Sequence, residues 1–369
     1  MEKSKVYFTN LRTKMNEGLP VKLQKLIRAA GIENIDFKNK YTAIKIHFGE
    51  PGNIAYLRPN YAKAVADVVK SLGGKPFLTD CNTLYVGGRK NALDHIDSAY
   101  ENGYSPFSTG CHVIIADGLK GTDEAYVPVC GGEYVKEAKI GQAVMDADII
   151  ISLNHFKGHE ATGFGGALKN LGMGCGSRAG KMEMHSAGKP LVNQKKCIGC
   201  GSCVKICAHN GVTVTDKKAE IDYHKCVGCG RCIGACPVDA IHAGEDESYD
   251  ILNKKIAEYA CAVVHDRPNF HINLVIDVSP YCDCHAENDL PIVPDVGMFA
   301  SFDPVALDVA CADAVNRQPI NPGSLLDERE HVHHDHFTDV TPETNWHSCV
   351  EHAQKLGIGT CAYELIEVK

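Results

Sequence analysis

The first half of the chain alternates between short runs with strand character and longer runs with helical periodicity. Residues 41–48 alternate apolar and polar positions, and residues 147–153 are almost continuously apolar, as expected of a strand buried on both faces. In residues 19–30 the apolar positions recur at helical spacing and stop before Gly31. Helices that alternate with strands favour βαβ units. The sequence therefore predicts an α/β fold with a mainly parallel sheet and flanking helices.

This pattern breaks near Pro190 and returns after Glu245. Residues 195–241 hold eight cysteines, many glycines and few large apolar residues. Such a segment cannot build much of an apolar core alone, so something else must hold it together. We therefore expect one α/β core domain formed by residues 1–190 and 245–369, interrupted by a small α+β module at residues 191–244. The other predicted strands are 5–9, 76–79, 111–116, 270–278 and 363–368, and the other predicted helices are 61–72, 89–100, 251–261 and 305–315.

Composition and charge exclude several functional classes. The 369 residues carry a formal net charge of −8, and aromatic residues make up 7% of the chain. An acidic, aromatic-poor chain does not fit a nucleic-acid-binding surface or a protein held on an anionic membrane, so we expect neither partner. The first residues lack the apolar stretch of a leader peptide, which predicts a cytoplasmic location. Cysteines stay reduced there, so eighteen of them indicate metal binding or redox chemistry rather than disulfides.

The inserted segment contains two copies of a C-x2-C-x2-C-x3-C motif, which begin at Cys197 and at Cys226. Three cysteines at two-residue gaps can wrap one iron–sulfur cubane, while the fourth cysteine reaches the other cluster. The predicted ligand sets are Cys197, Cys200, Cys203 and Cys236 for one [4Fe–4S] cluster, and Cys207, Cys226, Cys229 and Cys232 for the other. The alternative is two zinc knots, which also use C-x2-C pairs but normally lack three cysteines at equal gaps.

The segment around these motifs, residues 192–243, resembles the bacterial two-cluster ferredoxin. One departure is Ala208, which follows Cys207 where that family usually has proline. Proline shapes the turn and is not a ligand, so the resemblance still implies two [4Fe–4S] clusters. It also implies electron transfer with a redox protein partner.

Reactive side chains follow three of the predicted core strands. Cys81 follows the strand at 76–79, His155, Lys157 and His159 follow the strand at 147–153, and Cys282 and Cys284 follow the strand at 270–278. In open α/β sheets the ligand site lies beyond the carboxyl ends of the strands, so these residues could meet in one crevice. We interpret His155, Lys157 and His159 as candidate acid–base or anion-binding groups, with solvated loop polarity as the alternative.

Cys81, Cys282 and Cys284 form a candidate additional metal or cofactor site. The alternative is that each cysteine is separately buried as a small apolar residue.

A glycine-rich run at residues 163–178 enters a predicted helix. Free N–H groups at a helix start can bind an anion, and Lys169, Cys175 and Arg178 are the candidate cofactor-binding residues of this run. The alternative is a tight loop whose glycines serve packing. Asp303, directly before Pro304, is expected to be a helix cap rather than a catalytic group. The histidine tract at 331–336 is expected to be an exposed loop rather than a metal site.

Four stretches of the predicted core resemble a catalogued protein family. They are residues 80–85, 157–159, 163–172 and 301–308. Over nearly its whole length the chain is similar to the family of domain of unknown function 362, whose members with a ferredoxin insert are called uncharacterised iron–sulfur centre proteins. The resemblance implies an anaerobic or ancient redox setting and supplies no particular reaction.

These observations favour an iron–sulfur protein in which two clusters pass electrons to a site in the α/β core. One alternative is a non-enzymatic electron carrier or assembly factor that docks a protein partner. Another is a protein that handles a metal or cofactor through Cys282 and Cys284. A deep polar crevice at the strand ends favours an enzyme, whereas a flat apolar patch beside the insert favours docking.

Overall fold

The structure, a computed structural model, describes residues 3–85, 87–185, 189–243 and 248–369. The strands are β1 (Ser4–Thr9), β2 (Tyr41–Lys45), β3 (Lys75–Asp80), β4 (Val113–Ile115), β5 (Glu124–Pro128), β6 (Glu137–Gly141), β7 (Ile149–His155), β8 (Lys157–His159), β9 (Gly163–Gly165), β10 (Pro190–Val192), β11 (Val212–Thr215), β12 (Lys218–Ile221), β13 (Ile241–Ala243), β14 (Asn269–Val275), β15 (Gly297–Ser301) and β16 (Tyr363–Glu367). The helices are α1 (Leu19–Ala29), α2 (Pro59–Ser71), α3 (Ala92–Glu101), α4 (Pro106–Thr109), α5 (Gln142–Asp146), α6 (Ala167–Cys175), α7 (Arg178–His185), α8 (Ser202–Ile206), α9 (Arg231–Gly234), α10 (Tyr249–Val264), α11 (Pro304–Asn316), α12 (His336–Val340) and α13 (His347–Lys355), with a 3-10 turn at Ile32–Asn34. In this described part of the chain, no helix combines the length and the apolar character needed to cross a bilayer.

An eight-stranded sheet in the order β16-β1-β15-β14-β7-β2-β3-β4 forms the centre of the protein. All neighbours from β14 to β4 are parallel, and so are β1 and β16. β15 is antiparallel to both of its neighbours and is absent from the elements predicted above, because its five residues are all buried and show no alternation. The predicted α/β fold with a mainly parallel sheet is confirmed.

Helices cover both faces of this sheet. On β7, Ile150 belongs to the apolar cluster under α6, α10 and α11, whereas Ile151 belongs to the cluster under α1 and α2. Burial on both faces explains why this strand is apolar at nearly every position. α6 and α10 approach closely at Gly172, where a Cβ would lie 2.2 Å from the carbonyl oxygen of Ile256. This position therefore requires glycine.

The cysteine-rich segment begins and ends on paired strands. β10 pairs with β13, and β11 pairs with β12, both antiparallel. On either side of the segment, β7 and β14 are direct neighbours that pair in parallel over six residue pairs. Strands from before and after the segment thus belong to one sheet. The predicted boundary at residue 245 lies outside the described residues, and the division into a core and an inserted domain stays a prediction.

Asp303 lies directly before α11, as its expected role as a helix cap requires. Its carboxylate accepts hydrogen bonds from the backbone N–H groups of Val305 and Ala306, at 2.9 and 2.8 Å. The prediction of a structural role for Asp303 is confirmed.

His271, buried on β14, is expected to make stability depend on pH. Ser152 Oγ lies 2.9 Å from its Nδ1 and Asn269 Oδ1 lies 2.8 Å from its Nε2, and burial lowers the pKa of His271 to about 3. Below about pH 6.5 the unfolded histidine takes up a proton that the folded one does not, so stability falls as pH falls. Relative to His271→Gln, the wild type should lose about 1.4 kcal/mol of unfolding free energy per pH unit below about 6.5.

Anaerobic urea unfolding of the two proteins, followed by circular dichroism from about pH 7.5 to about pH 5, measures this difference. His265→Gln is the control, because His265 is exposed just after α10. Its pH dependence should match that of the wild type. The same slope in wild-type and His271→Gln proteins would contradict the prediction.

Candidate functional site

A cavity of about 420 Å³ opens at the carboxyl edge of the sheet. Strands β2, β3 and β7 end there, and the loop after β14 forms one side. The wall includes the side chains of Lys45, Asp80, His155, Lys157, Lys169 and Cys282. Small-molecule sites in α/β proteins lie at this edge, and convergent titratable groups mark candidates for chemistry. The cavity is therefore the candidate functional site.

His155, Lys157 and His159 all line this cavity, and all three are buried. β7 runs two residues further than the predicted strand and includes His155. Lys157 and His159 lie in β8, which pairs with β9 in a short hairpin. The alternative of solvated loop polarity is therefore wrong, because the hairpin supplies backbone partners that let these residues be buried.

Asp283 links two of these side chains to a third group from the loop after β2. Its carboxylate lies 3.3 Å from His155 Nδ1, 3.7 Å from Lys157 Nζ and 3.5 Å from His47 Nδ1. His155 Nε2 donates to the carbonyl of Ile276 at 2.8 Å. Burial opposes ionisation of Asp283, but His47, Lys157 and the hydrogen bond from His155 outweigh it and hold the pKa well below its usual value. Asp283 is thus an ionised anchor for this part of the wall.

Cys282 and Cys284 occupy one turn that opens on the cavity. The N–H of His285 donates to the carbonyl of Cys282 at 3.3 Å, which closes the turn. Burial raises the pKa of Cys282. A hydrogen bond from Cys282 lowers the pKa of Cys284 against the effect of burial, and Lys169 and Lys157 add to this lowering. Cys284 is therefore the more acidic of the two thiols.

His159 lies beside this pair of thiols. Its Nδ1 accepts the backbone N–H groups of Ala161 at 3.0 Å and Thr162 at 3.3 Å, so Nε2 carries the ring proton. Burial lowers the pKa of His159, and the nearby charge of Lys169 adds to the effect. The neutral ring is therefore a hydrogen-bond donor next to the sulfurs.

Two groups of three ligand atoms within 4.8 Å of one another occur in the described part of the chain. They are His159, Cys282 and Cys284, and Glu160, Cys284 and His285. Sulfur, imidazole and carboxylate are ligands that zinc and other transition metals take. This side of the cavity can therefore hold a metal ion.

Cys81 lines the same cavity but has a different environment. Its thiol donates to the carbonyl of Cys175 at 3.3 Å, and burial, with the charge of Asp117, raises its pKa well above the usual value. Cys81 belongs to neither three-residue group, so among the described residues His159 rather than Cys81 lies beside Cys282 and Cys284.

The side chains of the three candidate residues from the glycine-rich run lie in three different environments. Lys169 lines the cavity, with Nζ 3.9 Å from Cys282 Sγ. Cys175 is fully buried, and burial raises its pKa to about 11. The Arg178 side chain packs on Gly230 and Gly234 of the cysteine-rich segment and donates to the carbonyl of Lys90. Of the three, Lys169 is the one that lines the cavity wall.

The glycine-rich run was expected to bind an anion at the start of α6. A carboxylate of the protein itself already occupies that position. Asp308 accepts the N–H groups of Ala167 at 2.7 Å and Leu168 at 2.9 Å. An external anion would have to displace this buried side chain. The glycine-rich run therefore serves packing, which was the alternative interpretation, and it positions α6 with Lys169.

Sequence reasoning missed a network of buried charged groups at and after the ends of β2 and β3. Lys45 lies 2.9 Å from Asp80, and Arg89 lies 2.7 Å from Glu50, with all four side chains buried. Arg89 also donates to the carbonyl of Cys284 at 3.2 Å, which ties the thiol turn to this network. The strand-end argument applied to β2 could have found Lys45 and Glu50, because β2 ends at the same edge.

In the cysteine-rich segment, each predicted ligand set lines its own small cavity. The first is lined by Cys197, Cys200, Cys203 and Cys236, and the second by Cys207, Cys226, Cys229 and Cys232. Backbone N–H groups already face three of the sulfurs: Ala219 to Cys197 at 3.3 Å, Gly211 to Cys207 at 3.2 Å and Ala240 to Cys236 at 3.2 Å. Gly199 has a φ of 67°, and a Cβ there would lie 2.4 Å from the carbonyl of Lys217. Its loop requires glycine.

The cysteine-rich segment touches the wall of the large cavity. Leu84 lines that cavity and also packs in an apolar cluster with Cys203, Cys232 and Ile233. Arg178 is buried near Cys229 and Cys232, whose charges oppose the lowering of its pKa by burial. Leu84 thus joins the apolar cluster of the cysteine-rich segment to the wall of the large cavity.

Comparison with known proteins gives a family and distant likenesses. A thylakoid-associated protein, sll1697, of Synechocystis sp. is 30% identical over 131 residues, which cover 34% of this chain and 35% of that protein. The match thus spans about a third of the length of this relative. The lactate racemase apoprotein from Thermoanaerobacterium thermosaccharolyticum has a TM-score of 0.36 at 11% identity, covering 74% of this chain and 51% of that one. A protein from Thermotoga maritima has a TM-score of 0.36 at 13% identity, covering 69% and 49%.

The model of the family described as domain of unknown function (DUF362) matches residues 42–313. This match contains strands β2 to β15 and therefore the whole wall of the large cavity described above, as well as both cysteine sets. The chain belongs to the DUF362 family.

Proposed function

We propose that the protein is an iron–sulfur oxidoreductase in which two [4Fe–4S] clusters in the cysteine-rich segment deliver electrons to the large cavity. The observation that carries the proposal is the division of the eight motif cysteines into two cavities, each lined by three cysteines of one motif and the fourth of the other. This crossed arrangement is the one that two-cluster ferredoxin motifs use. The cysteine sets fit this cofactor in residue type, number and spacing.

The sulfur spacing supports clusters over zinc. In the described part of the chain, the ligand atoms that come within 4.8 Å in groups of three belong to the large cavity and not to either cysteine set. Thiolates on one zinc ion lie about 4 Å apart, because each bond is about 2.3 Å long. A cubane places its four thiolates on four irons and so holds them farther apart.

The large cavity supports an enzyme over a simple carrier. A carrier needs clusters near a docking surface, but it has no use for a 420 Å³ cavity lined by lysine, histidine and cysteine. Electrons would enter through a redox protein partner. Ile198 and Val227, at equivalent positions directly after Cys197 and Cys226, are 58% and 57% exposed and offer that partner an apolar contact beside each cluster.

Metal analysis of protein purified without oxygen tests the cofactor assignment. We expect about eight irons and about eight acid-labile sulfides per chain, and a visible absorption that bleaches when dithionite is added. Protein that holds about one zinc per cysteine set and no sulfide, including after reconstitution with iron and sulfide, would overturn the proposal.

A further inference from the structure

We propose that Cys282 and Cys284 form a reversible disulfide at the wall of the large cavity, which makes this turn a two-electron redox centre. The proposal rests on the proposed function only for the source of the electrons, since the clusters are the expected reductant. The cysteine pair would store two electrons in the core, next to the space where a small molecule can bind.

The geometry of the turn permits the bond. Residues 282 to 285 form a closed turn, so the two cysteine backbones are held close together. Their sulfurs already lie within 4.8 Å of each other and of His159. Bond formation at about 2.05 Å requires rotation of the side chains and no new fold. Cys284 is half-buried, so an oxidant or a substrate in the cavity can reach its sulfur.

The surroundings of the two sulfurs suit the reduction step. In that step, the S–S bond takes two electrons and two protons and becomes two thiols. The Nε2–H of neutral His159 can donate a hydrogen bond to the departing sulfur, and water in the cavity supplies both protons. Lys169, with Nζ 3.9 Å from Cys282 Sγ, stabilises the sulfur anion that exists before protonation.

The turn is held rigidly, as a repeated bond-making step requires. Asp283, between the two cysteines, pairs with Lys157 and His155 and accepts a long hydrogen bond from Cys282 Sγ at 3.9 Å, and its carbonyl accepts the N–H of Glu50 at 3.1 Å. Arg89 donates to the carbonyl of Cys284 at 3.2 Å. Charged side chains therefore fix the backbone of the turn, while the contacts of Cys282 Sγ with Lys169 and Asp283, each 3.9 Å long, leave its side chain able to rotate.

The number of electrons that the two clusters can supply matches the number that a disulfide accepts. Each [4Fe–4S] cluster gives one electron, and a disulfide accepts two. Two reduced clusters and one disulfide thus become two oxidised clusters and two thiols. Leu84, which belongs to the same apolar cluster as Cys232 and lines the cavity, connects the two regions.

His159 favours thiol chemistry over a resident metal at this site. A histidine that binds a metal normally donates its second ring N–H to a neighbour. Here Nδ1 accepts two backbone N–H groups, so the proton of the neutral ring is on Nε2. A protonated Nε2 has no lone pair left for a metal. A metal bound by His159, Cys282 and Cys284 would require these hydrogen bonds to break.

The first test uses the full-length protein with its clusters. Protein oxidised with diamide is denatured, alkylated and analysed by mass spectrometry, with and without prior reduction by dithiothreitol. We expect a bond between Cys282 and Cys284 in the oxidised sample and two alkylated thiols in the reduced one. Cys130, which is exposed, serves as the internal control and should be alkylated in both samples unless it bonds to another chain.

Two results of this test overturn the inference. One is alkylation of both thiols after oxidation. The other is a zinc ion that is retained by the wild type, lost in Cys284→Ser and protects both thiols until a chelator is added.

The second test follows the electrons. Oxidised protein receives two electrons per chain from photoreduced deazaflavin, and the cluster signal is followed by electron paramagnetic resonance. In the wild type the signal should decay as the thiols of Cys282 and Cys284 appear. In Cys284→Ser it should persist, because the acceptor is missing.

The two proposals fail separately. Absence of iron and sulfide removes the proposed function and leaves the disulfide test intact. Intact clusters whose signal decays equally in wild-type and Cys284→Ser proteins overturn the disulfide centre alone.

Discussion

Replacing Cys197 and Cys236 together with alanine is expected to remove one cluster and leave about four irons per chain. Cys197 belongs to the first motif and Cys236 to the second, but both line the same small cavity. If the ligands are crossed, both changes damage a single cluster, and the second cluster keeps all of its ligands. Iron and sulfide analysis of anaerobically purified protein measures the outcome.

The matched control pairs two cysteines from the same motif. Cys197→Ala combined with Cys207→Ala removes one ligand from each cavity, so it should abolish both clusters. Ligand sets that follow the motifs without crossing would give the opposite result, with about four irons in the control and almost none in the first variant. The two double variants have the same number of cysteines, so their difference reports the connectivity alone.

Replacing Arg89 with methionine is expected to lower the unfolding free energy by about 3–5 kcal/mol. Arg89 is 2% exposed and lies 2.7 Å from Glu50, which is itself buried. Methionine fills part of the space but leaves the carboxylate of Glu50 in a low-dielectric environment with no cation beside it. The change also removes the donor to the carbonyl of Cys284. Anaerobic urea unfolding measures the loss.

An exposed arginine provides the comparison for this variant. Arg28 pairs with Glu33 at the surface, where both side chains are well exposed. Arg28→Met should therefore change stability by about 1 kcal/mol or less. Adding Glu50→Gln to Arg89→Met should restore part of the loss, because the stranded charge is removed. If Arg28→Met and Arg89→Met lower the unfolding free energy equally, the buried pair is no more important for stability than the exposed one, and the prediction is wrong.

The predicted cavity residues differ in how well sequence reasoning located them. Strand ends on one edge of a parallel sheet face the same crevice, which correctly brought His155, Lys157, His159, Cys81, Cys282 and Cys284 to one cavity. The separate argument from the glycine-rich run failed for Cys175 and Arg178, because a helix sends successive side chains in different directions. Neither of these two residues lines the cavity, and Arg178 instead packs on the cysteine-rich segment.

The sequence by itself determined the fold class, the family resemblance and the two cysteine sets. These properties depend on periodicity and on short spacings, and both are local in the chain. Strand β7, apolar at nearly every position, and the doubled C-x2-C-x2-C-x3-C motif each carry their meaning within a few residues.

Only the tertiary structure decided which side chains became partners across long separations. Glu50 and Arg89 pair from different strand ends, Asp308 reaches the start of α6 from another helix, and His159 lies beside Cys282 and Cys284 in place of Cys81. Each partnership joins residues that are far apart in sequence, and burial determines its strength, because a charge or thiol removed from water depends on its few neighbours. No local pattern encodes those neighbours, since they are set by how the strands order themselves in the sheet.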